Sequence, residues 1–149
     1  MELRKLTPEY DAPLAALVRK NLEAHELNLP GTVYYDRELD HLSEYYSAEP
    51  EKRAYFILLE QNELVGGIGY AAYAGFDQCA ELQKLYLDDR VKGRGLGYRL
   101  IGKVEEAARG AGYRRMYLET HTNLRPRSIS MKRPDTLRLR GRRGRFTGR

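Results

Sequence analysis

One cysteine, no tryptophan, three histidines and three methionines in 149 residues leave little material for several kinds of chemistry. Cys79 stands alone, which excludes an intramolecular disulfide and a thiol cluster for zinc, and no metal site is expected. A reducing compartment fits such a chain. Cys79 opens an apolar strand pattern, so it reads as a small buried residue rather than as an acyl-carrying nucleophile. Long hydrophobic runs are also missing. Nothing approaches the roughly 20 apolar residues that span a bilayer, and the polar start MELRKLTPEY does not resemble a signal peptide. The chain therefore reads as soluble and cytoplasmic, with no membrane partner.

Acidic residues are scarce in one place only. Of the 26 Lys and Arg, ten lie in residues 125–149 against a single acid, Asp135, so residues 1–124 carry 16 basic and 20 acidic residues. The net charge of +5 thus comes from the tail, while the body is acidic. Any affinity for nucleic acid belongs to that tail, and it is not the expected function. The length is that of one domain with a sizeable core. Residues 1–124 form the expected folded unit, and residues 125–149 an Arg-rich tail expected to be disordered or non-native.

Within the body, period and punctuation place the elements. ELRKL at residues 2–6 suits a short opening strand. Thr7-Pro8 and Asp11-Ala12-Pro13 are helix-start signals, followed by Leu14, Leu17, Val18 and Leu22 at helical spacing. This first helix is expected to end near Asn28, before Pro30-Gly31. A second helical pattern, with Leu39, Leu42 and Tyr45 or Tyr46, starts after Asp36 and stops before Pro50. The intervening loop carries Tyr34 and Tyr35, and loop tyrosines of this kind more often cover a core than wall a pocket. His25 and His41 have no partner in the pattern and read as ordinary polar residues. AYFILL and LVGGIGYAAY, separated by Glu60–Glu63, predict an antiparallel hairpin whose Gly66, Gly67 and Gly69 mark a bulge or a close approach. A third strand follows at Ala80–Leu87. Leu96, Leu100, Ile101, Val104 and Ala107 or Ala108 then predict the clearest helix, closed by Gly110 and Gly112. Arg115–Thr120 is the next strand, and strand–helix–strand over about forty residues is a crossover between parallel strands.

The loop before that helix, Arg90-Val-Lys-Gly-Arg-Gly-Leu-Gly97, is a phosphate-binding candidate, and its spacing separates three motifs. A dinucleotide fingerprint G-x-G-x-x-G fails, because Gly95-x-Gly97 is followed by Leu100. Gly97 to Lys103 matches the first seven positions of a P-loop, but Val104 stands where Ser or Thr must bind magnesium, and the match falls inside the helix. Lys92-Gly93-Arg94-Gly95-Leu96-Gly97 fits the third, Q/R-x-x-G-x-G/A, with Lys in place of the usual Gln or Arg. That loop works through backbone N–H groups aimed from a helix N-terminus, which tolerates the change. With AELQKLYL before it and YLETHTN after it, residues 1–124 resemble the GNAT superfamily of acyl-CoA-dependent N-acetyltransferases.

The resemblance implies an α/β fold of the α+β type, with a mixed, mostly antiparallel central sheet flanked by helices. It implies acetyl-CoA as cofactor and a primary amine, small-molecule or peptide, as acceptor, attacked directly in a ternary complex by a monomer or homodimer. Leu85, Tyr86 and Leu87 fall on the pantetheine arm. Lys92, Gly93, Arg94, Gly95, Leu96, Gly97 and Tyr98 fall on the pyrophosphate, and Asn123 on the cofactor arm. Glu81, fourteen residues before Gly95, takes the position of the general base. Glu119 and His121 are alternatives for that role. An amine of pKa near 10 is mostly protonated at neutral pH and needs a base before it attacks a thioester.

The tail departs from the family. A helix bearing a motif like L-Y-E-K-x-G-F/Y and two further strands are expected next, and the tyrosine usually serves as general acid. Here RPRSISMKRPDTLRLRGRRGRFTGR has neither apolar period nor tyrosine, so the C-terminal helix and strands are expected to be missing or non-native. Codons offer a reason. If Ile129–Thr136 is encoded ATC TCT ATG AAA AGG CCG GAT ACC, reading from the third base gives Leu-Tyr-Glu-Lys-Ala-Gly-Tyr, which points to a frameshift shortly before Ile129. Two other functions remain open: an acyl-CoA-binding module without catalysis, and an Arg-armed nucleic-acid binder.

Overall fold

The structure, a computed structural model, describes residues 1–24, 26, 37–76 and 78–119 together with the segments 126–130 and 139–140. Its described strands form one seven-stranded sheet in sequence order. Strands β1 (Glu2–Lys5), β2 (Ala54–Glu60), β3 (Glu63–Ala72) and β4 (Cys79–Leu87) run as an antiparallel meander. Helix α3 (Leu96–Gly110) carries the chain across to β5 (Arg115–Glu119), which lies parallel to β4 as a crossover requires.

Alternation along the strands divides the core into two layers. Phe56, Leu58, Ile68, Tyr70, Ala80, Leu82 and Met116 pack under the Leu96, Leu100, Ile101, Val104 and Ala108 stripe of α3. Tyr55, Ile57 and Leu59 meet the opposite layer, built by α1 (Asp11–Ala24) and α2 (Leu42–Ser47). The expected second helix begins as a 3-10 turn, Arg37–His41, before continuing as α2. Asp11 ties the two helices together: its Oδ1 accepts from the Ser43 backbone N–H at 2.9 Å and its Oδ2 from the Ser43 hydroxyl at 2.6 Å. The expected end of α1 near Asn28 lies outside the described residues.

The β2–β3 hairpin turns at Gln61-Asn62, both in the left-handed region with φ 52° and 66°, as a two-residue hairpin of matching twist requires. Cys79 is buried at the start of β4, as its context predicted.

Beyond β5 the tail adds two strands. β6 (Pro126–Ser130) pairs antiparallel with β5, and β7 (Leu139–Arg140) pairs with β6. The C-terminal helix and strands were expected to be missing or non-native; two short strands are present here. Residues 120–125, between β5 and β6, lie outside the described residues. No helix among the described residues is long and apolar enough to cross a membrane.

Candidate active site

The site forms where β4 and β5 stop pairing. Their ladder has three pairs, Cys79↔Arg115, Ala80↔Met116 and Glu81↔Tyr117, and then ends, although β4 continues to Leu87 and β5 to Glu119. Parting of this kind leaves main-chain groups on the inner edges that a strand-like ligand can satisfy. Leu85, Tyr86 and Leu87 lie on the parted stretch of β4. The Tyr86 side chain is buried among the α1 and α2 layer, and burial pushes its phenol up to about 12, so it stays protonated. What Tyr86 presents toward the gap is therefore backbone. The Leu87 carbonyl accepts from Asn21 Nδ2 of α1 at 3.3 Å, which anchors the end of β4 to the helix layer.

A bulge shapes the parting strand. Gly67 pairs with Tyr86 and Gly69 with Gln83, so β4 carries one more residue than β3 over this interval, and Lys84 takes φ 49°. Tyr55 holds the bulge: its hydroxyl donates to the Lys84 carbonyl at 2.6 Å. The ring crosses β3 where there are no side chains. A Cβ on Gly67 would stand 2.6 Å from the Tyr55 hydroxyl oxygen, and one on Gly69 would stand 2.5 Å from Tyr55 Cδ2. The glycines expected to mark a bulge or a close approach do both.

Glu81 occupies the last β4–β5 pair, half-buried. Its Oε1 accepts from Gln83 Nε2 at 3.1 Å, and Gln83 Oε1 accepts from the Tyr46 hydroxyl at 2.6 Å. Glu119 ends β5 two residues beyond the partner of Glu81. Asn123, His121, Tyr34 and Tyr35 lie outside the described residues.

The loop after β4 is built for an anion. Asp88 starts it, accepting from the Arg90 backbone N–H at 3.0 Å and from Arg90 Nε at 3.1 Å. Its carboxyl is held below the usual carboxylate range, first by that backbone hydrogen bond and then by the guanidinium. Gly93 and Gly95 take φ 83° and 75°, a conformation few other residues adopt, and Gly95 stands at the N-cap of the 15-residue helix α3. Among the described residues, chain neighbours and the helix's own backbone apart, no atom lies within 4 Å of where a Cβ would sit on Gly93, Gly95 or Gly97. α3 thus begins at an open cradle, with no side-chain cap at Gly95, where a helix N-terminus presents backbone N–H groups and the positive end of its dipole. Buried Leu96 fixes the turn in the core, while Tyr98 is 67 % exposed beside it. The loop cations are held by acids: Lys92 by Asp89 at 3.0 Å, Arg94 by Glu60 at 3.1 Å and Arg90 by Glu63 at 2.9 Å.

Glu81 lies on β4 and the glycine loop follows it, as the sequence order requires. Tyr46, Tyr55 and Gln83, which the sequence did not single out as site candidates, hydrogen-bond around this part of β4. Two signals pointed their way: Gln83 shares a strand face with Glu81, and Gly67 and Gly69 are bare on the same face of the neighbouring strand.

A glycine cradle at a helix N-terminus, beside parallel strands that part on a mixed sheet, defines an acetyltransferase fold of the GNAT class. The chain belongs to the acetyltransferase (GNAT) family, whose pattern matches residues 19–132. It is 33 % identical over 120 residues to the uncharacterized N-acetyltransferase YjgM of Escherichia coli K12, covering 79 % of this chain and 71 % of that one. Among solved structures it resembles a GNAT-family acetyltransferase from Staphylococcus aureus Mu50, with a TM-score of 0.66, 17 % identity, and coverage of 80 % and 72 % of the two chains. It also resembles the PaiA N-acetyltransferase of Thermoplasma acidophilum in complex with coenzyme A, with a TM-score of 0.65, 18 % identity, and coverage of 83 % and 80 %.

Proposed function

We propose that the protein transfers an acetyl group from acetyl-CoA to a primary amine, with both substrates bound together. The observation that carries this reading is the coincidence of the parted β4–β5 edge with the open glycine cradle, both on the connection from β4 to α3. The cradle fits a pyrophosphate: Lys92 to Tyr98 offer backbone N–H groups and no side chain in the way at three glycines. The backbone of Leu85 to Leu87 receives the amide-bearing arm by strand addition, and Asn123 is assigned to the same arm. Acetyl-CoA supplies the activated thioester. Glu81, where β4 leaves β5, takes the proton from the incoming ammonium directly or through a water molecule.

A thermal-shift titration tests the reading. A ligand at 100 times its Kd stabilises a fold by about 2.7 kcal/mol, so acetyl-CoA raises the melting temperature in the micromolar to millimolar range. No shift at millimolar acetyl-CoA counts against it. Release of free coenzyme A thiol over a panel of polyamines, amino sugars and peptide N-termini then identifies the acceptor class.

A second reading is favoured by the tail. None of the twelve tyrosines lies beyond Tyr117, so the tyrosine that family members place after β5 is absent. Residues 125–149 are then a non-native tail, produced by a frameshift before Ile129, and the chain binds acyl-CoA with impaired transfer. Binding without thiol release across the panel selects this reading.

A further inference from the structure

Three side chains from two elements form a single hydrogen-bonded line that ends on Glu81. Glu81 and Gln83 are two residues apart on β4 and share one face. Tyr46 comes from α2 across the helix layer, 4 % exposed, with its ring 4.9 Å edge-on from Tyr45 and 5.2 Å from Tyr55. Room for it is made in β3. Gly69 lies opposite Gln83, and a Cβ there would stand 3.3 Å from Tyr46 Cε1.

The line has only one possible direction. An ionised carboxylate accepts hydrogen bonds and donates none, so the amide nitrogen of Gln83 must face Glu81. The amide oxygen then faces Tyr46 and requires a donor, at 2.6 Å. Tyr46 is a permanent donor, because burial pushes its phenol well above the ordinary tyrosine value. Each group settles the orientation of the next, and the last is the Glu81 carboxylate.

We propose that Tyr46 is a positioning residue: acting through Gln83, it holds the Glu81 carboxylate in one orientation at the mouth of the parted strands. This rests on the reading of Glu81 as the base. The line orients and does not carry protons away, since a carboxamide neither takes a proton from a carboxylic acid nor passes one to a phenol under these conditions. A carboxylate held in one pose saves the orientational cost of placing it against each ammonium, and that advantage falls on the chemical step rather than on acetyl-CoA binding.

The test uses the full chain, 15N-labelled, with the Gln83 side-chain amide pair assigned by its disappearance in Gln83→Met. In the wild type the two amide protons are well separated and exchange slowly. Tyr46→Phe keeps the ring and removes the donor. It is expected to collapse the Gln83 pair toward the shifts of a solvated glutamine, leaving Gln61 in the hairpin turn unmoved. For whichever panel amine is acetylated, kcat falls about tenfold with KM for acetyl-CoA unchanged. Tyr46→Phe combined with Gln83→Met is no slower than Gln83→Met alone, as expected for residues acting in one line. If Tyr46→Phe does not fold, Gln83→Met carries the same kcat and KM comparison.

An amide pair unmoved by Tyr46→Phe overturns the proposal, as does a loss that appears in KM for acetyl-CoA rather than in kcat. A wild type that shows the ordered Gln83 pair but binds no acetyl-CoA overturns the acetyltransferase reading instead, so the two failures are distinct.

Discussion

At the scale of the residue, the site depends on side chains that are absent as much as on those present. Tyr55 reaches the Lys84 carbonyl only because Gly67 and Gly69 leave its path clear. Gly67→Ala puts a methyl 2.6 Å from the Tyr55 hydroxyl oxygen, and overpacking of this kind costs about 1–3 kcal/mol. A lowered urea midpoint at unchanged slope, with weakened acetyl-CoA binding, is the expected result. Tyr55→Phe separates the two effects, since it loses the hydrogen bond without a clash. Asp88 adds a pH dependence. A carboxyl depressed by folding stabilises the fold above its unfolded value near 4, and the contribution fades as pH falls through the lower folded value. Asp88→Asn therefore lowers the melting temperature at pH 7 and flattens its decline on acidification. An acid limb equal in slope to that of the wild type contradicts this.

At the scale of the element, α3 shows what periodicity reveals and what it hides. Its apolar stripe was legible because burial repeats at three and four residues along one face. Glu105 interrupts that logic. It is 2 % exposed, its Oε2 has no hydrogen-bond partner among the described residues, and its closest cation is Arg109 at 3.9 Å. Burial raises its pKa, with Arg109 opposing. A carboxyl raised by folding favours the native state only below its unfolded value near 4.3 and penalises it as pH climbs through the raised value. Glu105→Gln is expected to raise the melting temperature at pH 7 and to change it little at pH 4. The loop ahead of α3 was legible as a motif, but its acid partners were not. Glu60 comes from the end of β2 to hold Arg94, in an exposed pair of the kind worth at most about 1 kcal/mol. Glu60→Gln frees that guanidinium, so calorimetry should find acetyl-CoA bound about two- to fivefold more tightly at low salt. The gain shrinks at high salt, where exposed charges are screened.

At the scale of the whole molecule, an acidic body carries a basic tail, and the tail takes part in the sheet through β6 and β7. Sequencing the gene across codons 120–149 is expected to return bases that read Leu-Tyr-Glu-Lys-Ala-Gly-Tyr in the shifted frame, and an incompatible codon set removes the frameshift. A chain rebuilt in that frame should release coenzyme A thiol faster than the present one with the same amine.

What the sequence determined alone is whatever depends on neighbours in the chain. The elements of residues 1–119, their order, the parallel crossover and the glycine cradle follow from spacing, because helix and strand periods and left-handed glycines are local properties; β6 and β7 do not. Tertiary structure decided where β4 leaves β5, which bare glycines admit the Tyr55 ring, and that Tyr46 meets Gln83 across 37 residues of chain. Those facts depend on register and layer packing. A strand slipped by one residue keeps the same composition, yet it turns every one of these side chains to the opposite face.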